Sequence, residues 1–272
     1  RDSVLNIGNA FALGTGKLVV NQASDVSAGG AAGGLLQTIG GSMAVHNDVV
    51  VLGDLRFNGN QDLVFRGGVN LTPTGFGGTR VFQVGLGGAG QLSVLGVISG
   101  DRSNLVKSGA GTLVLNGQNT YDGTTQLAGT GGNLLVSANV LPNAPGPLGD
   151  SDSPVLVTAG SATLNAIGLG LSGQVTFGRD VIVQLAAGTL GVSIFGNTNY
   201  TSKFVGGIAV GTPLTGISEV ALQAAFGGRF EMLGTITSNG PSMRVRIGDV
   251  VAPTGGRTGV VYFGPGPNGT SL

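Results

Sequence analysis

The chain lacks cysteine and tryptophan, and its 272 residues include a single histidine, His46. Without cysteine there can be no disulfides and no thiolate metal sites. A lone histidine leaves no second imidazole for a transition-metal site, and no Ser, His and Asp order along the chain suggests a catalytic triad. We therefore expect no metal ion or other cofactor, and we interpret His46 as a surface turn residue rather than a general base.

Charge is also scarce. Thirteen basic and thirteen acidic residues cancel, and charged residues make up only 10% of the chain. Because no basic stripe is present, nucleic acid and anionic membrane are not expected as partners. No apolar run approaches the length of a membrane span, so we expect no membrane insertion of this segment. A weakly charged surface offers little repulsion and tolerates self-association.

Glycine and short apolar runs are what the chain has in abundance. It contains 54 glycines, and 41% of its residues are apolar. Runs of four to six residues, rich in Val, Leu or Ile and bounded by Gly, Asn or Asp, predict β-strands. The clearest are Lys17–Val20, Asp48–Leu52, Asp62–Arg66, Arg80–Val84, Thr112–Asn116, Pro154–Thr158, Asp180–Leu185 and Met243–Ile247. Only residues 217–226 could hold a few helical turns, so the prediction is an all-β fold with little or no helix.

Glycine pairs between the strands predict tight corners, which suit either an antiparallel sandwich or a coil of parallel strands. Internal repetition favours the coil, because three pairs of similar segments recur in the same order at offsets of 134, 132 and 138 residues, and a fourth pair lines up loosely at 256 − 111 = 145 residues. The pairs are 9–20 with 143–157, 46–51 with 178–183, 91–99 with 229–237, and 111–125 with 256–272. We interpret residues 1–272 as one continuous β-solenoid made of two permuted copies, approximately 1–137 and 138–272. We expect it to be a segment of a longer array.

Residues 106–125, VKSGAGTLVLNGQNTYDGTT, carry the most specific motif. Its first half contains Lys107, Ser108, Gly109, Gly111, Thr112 and Leu113, and its second half contains Asn119, Tyr121, Gly123, Thr124 and Thr125. This pattern resembles the autotransporter-associated β-strand repeat, also called the passenger-associated repeat, of β-helix surface proteins. The resemblance implies a right-handed parallel β-helix (β-solenoid) of short strands and Gly-rich corners, located outside the cell or on a bacterial surface. We interpret Gly109, Gly111 and Gly123 as corner residues.

Several carboxylates could in principle carry chemistry. Asp48 and Asp180 are equivalent in the two proposed copies, which favours a shared role at the start of a strand. Asp150 and Asp152 could offer oxygen ligands to Ca²⁺, although we interpret them as part of a solvated loop. Gln91 stands where a GGxGxD calcium repeat requires Asp, so no calcium site is expected there.

These observations leave three hypotheses. The first is a structural extracellular fibre or surface-stalk segment with no catalytic role, whose partners are identical or similar solenoid units stacked end to end, as one chain or as a homopolymer. The second is an autotransporter-type adhesin that binds surface glycans or host protein, with Tyr121, Tyr200 and Tyr262 as surface platforms. The third and least favoured is a polysaccharide-degrading β-helix enzyme, which would need Asp48, Asp54 and Asp62 on one face.

Overall fold

The computed structural model is described here over twelve segments of the chain. These are residues 4–21, 33–71, 77–85, 90–129, 131–159, 167–185, 192–196, 199–211, 218–224, 227–238, 243–247 and 259–264. Within them the regular elements are 27 β-strands, and every pairing between named strands is parallel. The predicted all-β coil of parallel strands is confirmed.

The strands form three faces of a solenoid. The first face is a ten-stranded sheet of β1 (Val4–Ile7), β3 (Gly33–Thr38), β6 (Asp54–Phe57), β9 (Gly78–Val84), β12 (Ser103–Ser108), β14 (Thr125–Gly129), β16 (Val155–Ala159), β19 (Val181–Leu185), β22 (Ile208–Gly211) and β25 (Ile236–Ser238). The second face is a nine-stranded sheet of β4 (Met43–Val45), β7 (Leu63–Phe65), β10 (Gln91–Val94), β13 (Thr112–Leu115), β15 (Gly132–Val136), β17 (Ile167–Leu171), β20 (Val192–Gly196), β23 (Ser218–Gln223) and β26 (Met243–Ile247).

The third face consists of two four-stranded sheets. The N-terminal sheet holds β2 (Leu18–Val20), β5 (Val49–Val51), β8 (Val69–Asn70) and β11 (Ile98–Ser99). The C-terminal sheet holds β18 (Thr176–Phe177), β21 (Thr201–Phe204), β24 (Arg229–Met232) and β27 (Val260–Phe263). Between these two sheets the third face is carried by irregular chain with two isolated bridges, an antiparallel one at Asn119 and Gly146 and a parallel one at Val140 and Phe177.

The chain visits the three faces in turn, so each circuit, or rung, places a strand directly on the strand of the previous circuit. Circuit length varies: Leu105 pairs with Thr125 (125 − 105 = 20 residues), whereas Leu135 pairs with Gly170 (170 − 135 = 35 residues). The strands keep their hydrogen-bonded register in every circuit, so the difference in circuit length is confined to the corners. Extra residues at a corner therefore leave the stack of strands intact.

Inward side chains from the strands of all three faces form one core. In β6, Leu55 and Phe57 are fully buried, whereas Asp54 and Arg56 lie on the other side of the sheet. Parallel pairing then stacks inward side chains into rows that run along the coil axis. On the first face one row reads Leu55, Phe82, Lys107, Leu127, Val157, Val183 and Val210. Lys107 interrupts an otherwise apolar row.

The eight strands predicted from the sequence are all present, with bounds that differ by at most two residues. The suggestion of helical turns in residues 217–226 is wrong. The described part of this stretch is β23, which pairs with β20 and β26. Val220, Ala221 and Leu222 are all fully buried there, because neighbouring strands cover both sides of β23 in the sheet. The described residues contain no helix long and apolar enough to cross a membrane.

The similar segments of the two proposed copies lie on different faces. β2 and β5 belong to the third face, but their counterparts β16 and β19 belong to the first. Likewise β10 belongs to the second face and its counterpart β24 to the third. The division into two copies stays a prediction. It implies a rotation by one face between the copies.

Candidate functional site: the repeat motif and the loop it holds

The repeat motif lies at the centre of the coil, where the third face loses its regular strands. It runs through β12 and β13, crosses the irregular part of the third face at residues 116–124, and ends at the start of β14. Leu113 is fully buried in the core row of the second face, paired with Leu92 and Leu134. Ser108 and Thr112 flank the corner between β12 and β13 and are partly exposed.

Lys107 points inward and is only 3% exposed. Its register partners Phe82 and Leu127 are buried apolar residues. The ammonium group reaches the corner and donates to the carbonyl oxygens of Ser108 (2.9 Å) and Gly109 (2.6 Å). Burial lowers the pKa of Lys107 from 10.5 to about 8. The lysine thus satisfies the carbonyls of its own corner at the cost of desolvating a charge.

The motif glycines lie where neighbouring backbones touch. Gly109 has φ = +81°, a conformation that residues with a Cβ rarely adopt, and a Cβ added to it would overlap the Val84 carbonyl of the previous rung. A Cβ on Gly111 would lie 2.9 Å from the Gly90 oxygen, and one on Gly123 would overlap the Ser103 carbonyl.

Asn119 ties three successive rungs together while fully buried. Its Oδ1 accepts a hydrogen bond from Ile98 N (2.7 Å) in the preceding rung, and its Nδ2 donates to the Pro147 carbonyl (2.8 Å) in the following one. Its backbone exchanges two hydrogen bonds with Gly146. The motif asparagine therefore holds a loop beyond the motif itself, the segment 146–150, which we call the clamped loop.

Tyr121 and Thr125 complete the grip on the clamped loop. Tyr121 is fully buried, and its hydroxyl lies 2.8 Å from Thr125 Oγ1. Its carbonyl accepts from Asp150 N (3.2 Å), and its ring packs against Gly149. Thr125 Oγ1 also donates to the Leu148 carbonyl at 3.4 Å. Burial raises the pKa of Tyr121 to about 12, although the hydrogen bond with Thr125 and the charge of Arg179 both act to lower it.

Thr124 binds the rung before it. Its backbone N and its Oγ1 both donate to Asn104 Oδ1, at 2.8 and 3.0 Å. The polar residues of the second half of the motif are thus used in contacts between rungs, with Asn119, Tyr121 and Thr125 directed at the clamped loop.

Arg179, which the sequence analysis did not single out, closes the arrangement from the other side of the loop. Its side chain is 1% exposed. It donates to the Leu148 carbonyl from Nη1 (2.5 Å), and to the Ser153 carbonyl from Nε (3.0 Å) and from Nη2. Burial lowers the pKa of Arg179, while Tyr121, Asp152 and Asp150 favour its charged form. Arginine side chains are usually exposed, so the position of Arg179 just before a predicted strand did not indicate that it would be buried against the clamped loop.

Carboxylates recur as acceptors between rungs. Asp48 Oδ1 accepts from Gly68 N at 3.0 Å, and Asp180 Oδ1 accepts from Gly207 N at 2.7 Å. Asp54 accepts from Val81 N at 3.2 Å, and Asp62 accepts from Gln91 N at 3.0 Å. Asp48, Asp54 and Asp62 precede or begin strands of the third, first and second faces respectively. They do not share a face.

The other candidates from the sequence are dispersed. His46 is exposed at the corner between β4 and β5. Gln91 donates from Nε2 to Ser93 Oγ at 2.9 Å, while most of the glycine stretch before it, residues 86–89, lies outside the described residues. Asp150 is partly buried and Asp152 exposed. Over the described segments, no group of three or more His, Cys, Asp and Glu could hold a metal ion.

The expectation that all three tyrosines are surface platforms is wrong for Tyr121, which is buried against the clamped loop. Tyr200 and Tyr262 are exposed, and the Arg229 guanidinium lies 4.4 Å from the centre of the Tyr262 ring. The prediction for Tyr121 was wrong because Gly149, which contacts its ring, lies far from it along the chain, and local sequence patterns do not show such contacts.

A known family model matches the part of the chain that carries the repeat motif. Residues 105–136 match the family model of the passenger-associated transport repeat. No curated protein and no solved structure matches the chain. The matched residues include Lys107, Asn119, Tyr121 and Thr125, whereas the loop that they hold and Arg179 lie outside the match. The matched segment is similar to a passenger-associated transport repeat, and it lies within a parallel β-solenoid.

Proposed function

We propose that the chain is a structural segment of an extracellular fibre or bacterial surface stalk, with no catalytic role. The observation that carries the proposal is the stack of ten parallel strands from β1 to β25 around one apolar core. Nine strand spacings make this stack about 43 Å long. In such a stack each rung contacts its neighbours through backbone hydrogen bonds and core rows, which suits a rigid spacer. The passenger repeat supports a location outside the cell.

The partners that we propose are like solenoid units stacked end to end. Exposed apolar side chains are concentrated on the strands at the two ends of the described stack. Val245 and Ile247 continue the core row of Val220 and Leu222, yet they are 37% and 55% exposed. At the other end Leu5 pairs with the buried Leu36 and is 37% exposed. A further rung at either end would cover these side chains and pair the terminal strands.

The test is the length of the particle in solution as a function of concentration. We expect small-angle scattering to show rods that lengthen with concentration at constant cross-section. Ile247→Lys should shorten the rods, because a charge at the end of the core opposes burial. Val97→Lys is the matched control, since Val97 is a 44% exposed aliphatic residue at mid-coil. A compact monomer of fixed size at high concentration would rule out end-to-end stacking.

The absence of catalysis is supported by the use of Asp48, Asp54 and Asp62 as acceptors for backbone groups of neighbouring rungs on three faces. Incubation with a panel of polysaccharides should release neither new reducing ends nor unsaturated products. Release that disappears in Asp54→Asn would contradict the proposal.

A further inference from the structure

A shallow cleft opens at the N-terminal end of the coil, at the corner between the second and third faces. It has a volume of about 470 Å³, and the residues that line it include Phe11, Gly14, Lys17, His46, Asn47 and Asp48. This volume falls within the range of small-molecule sites. None of these residues belongs to the repeat motif or the clamped loop.

The cleft is built by a turn that is fixed to the coil. Residues 9–16 form the turn, in which Asn9 Oδ1 accepts from Phe11 N at 2.8 Å. Asn47 is 8% exposed and donates through Nδ2 to the carbonyls of Gly14 (3.0 Å) and Gly16 (2.6 Å). Because one buried side chain holds both carbonyls, the wall of the cleft is set before any ligand arrives.

The open side of the cleft presents one aromatic ring and several polar groups. Phe11 is 82% exposed, the largest exposed fraction among the large apolar side chains of the described residues. His46 and Asp48 flank the buried Asn47 and are both exposed, and Lys17 precedes the strand that pairs with the one after Asp48. The Asp48 carboxylate is held at the rim by its bond from Gly68 N, which leaves Oδ2 as a further acceptor.

We propose that this cleft binds a neutral saccharide in its pyranose form. Lysine and aspartate balance each other in charge, so neither an anionic nor a cationic ligand is favoured. Ammonium, carboxylate and imidazole together supply donors and acceptors, and sugar hydroxyls need both. The face of an aromatic ring carries negative charge density and attracts the weakly positive C–H face of a pyranose. This inference does not rest on the stalk function, because a spacer and a filament can equally carry a binding cleft on their surface.

The test uses the single histidine as a reporter. Because His46 is the only histidine, its imidazole C–H signals in an NMR spectrum of the whole chain are unambiguous. The probes are the methyl pyranosides of glucose, galactose, mannose and N-acetylglucosamine, with sorbitol as a polyol that lacks a ring face. At least one pyranoside should shift the His46 signals saturably, with a Kd of about 1 mM or below. Sorbitol should not.

Two variants decide whether the ring of Phe11 is responsible. Phe11→Ala should weaken binding about tenfold, whereas Phe11→Tyr should retain it. The matched control is Tyr200→Ala, which removes an aromatic ring that is 50% exposed elsewhere on the coil and should leave the Kd unchanged. Phe11 is so exposed that its loss should not impair folding, which circular dichroism would verify. The proposal is overturned if no pyranoside shifts the His46 signals, if sorbitol shifts them equally, or if Phe11→Ala binds as the native chain does.

Discussion

Asp48 and Asp180 lie on different faces of the coil and make the same contact. Each accepts a hydrogen bond from the second glycine of a Gly-Gly pair in the next rung, Asp48 from Gly68 and Asp180 from Gly207. Each immediately precedes a strand, β5 or β19. At the start of each strand, the aspartate side chain therefore accepts a hydrogen bond from a corner glycine N–H that has no partner in the strand ladder.

The first prediction concerns this contact. Asp180→Ala should lower the free energy of unfolding by about 1 kcal/mol, because Gly207 N loses its acceptor. Asp180→Asn should restore most of the loss, since an amide oxygen can accept the same bond. Urea denaturation measures both values, and Asp101→Ala, at an exposed turn, is the control. Equal stability of Asp180→Ala and the native chain would show that water replaces the carboxylate without cost.

The second prediction is a pH dependence caused by Lys107. Its pKa is about 8 in the folded chain and 10.5 as the ordinary value, so between these pH values the unfolded chain binds more protons. Stability should therefore rise as pH increases through this window, by about 3 kcal/mol at most. Denaturation at a series of pH values would measure it. Lys107→Met should abolish this rise.

Tyr121 should act in the opposite direction at higher pH. Burial raises its pKa from 10.0 to about 12, so the unfolded chain loses this proton first. Stability should fall as pH increases from 10 to 12, and Tyr121→Phe should remove that fall. The difference in stability between the native chain and each variant, as a function of pH, gives the contribution of one titrating side chain.

For the lysine, identical pH profiles of the native chain and Lys107→Met would contradict the burial of the charged Lys107 side chain.

The third prediction concerns Arg179 and the clamped loop. Arg179→Met should cost about 3 kcal/mol, because the buried carbonyls of Leu148 and Ser153 lose charged donors. Arg179→Lys should recover only part of this, since an ammonium lacks the fork that reaches both carbonyls. Hydrogen exchange should accelerate at Gly149 and Asp150, whose amides bond within the loop and to Tyr121. Unchanged exchange there would mean that the motif residues hold the loop without the arginine.

The fourth prediction concerns the corner glycines. A Cβ on Gly96 would overlap the carbonyl oxygen of Gly67 in the preceding rung, and one on Gly117 would lie 2.5 Å from the oxygen of Gly96. Gly96→Ala should therefore destabilise the coil by about 3 kcal/mol, because backbone must move in two rungs. Gly8→Ala is the matched control, since nothing lies within 4 Å of its added Cβ. Thermal denaturation of both variants tests this prediction. If Gly96→Ala melts at the same temperature as the native chain, the close contact between the Gly96 and Gly67 backbones is contradicted.

Much of the fold could be predicted from local pattern. In TLVLN the alternation of Leu113 and Leu115 with polar or outward residues indicates a strand, and both leucines are fully buried. The composition of residues 217–226 favours a helix, whereas pairing with β20 and β26 makes Ser218–Gln223 a strand. Local propensity is a weak prior where tertiary contacts are extensive.

The candidate site was predicted as a set of residues but not as a set of contacts. The motif residues were identified, including Asn119, Tyr121 and Thr125. Their common partner, the clamped loop, lies about 25 residues further along the chain, and Arg179 lies beyond that. Such contacts depend on the length of the intervening corners, which strand patterns do not encode.

Short strands with glycine corners follow from the sequence alone, because alternation and corner chemistry are local properties. The preference for a coil of parallel strands over an antiparallel sandwich came from the internal repetition and the repeat motif. The burial of Lys107, Tyr121 and Arg179, and the bond from the Asp48 carboxylate to the next rung, became apparent only from the folded coil. Burial and hydrogen-bond partners in a solenoid come from neighbouring rungs, and the distance along the chain to those neighbours varies from 20 residues (Leu105 to Thr125) to 177 − 140 = 37 residues (Val140 to Phe177). Whether a given side chain is buried or exposed therefore depends on which residue of the neighbouring rung lies against it.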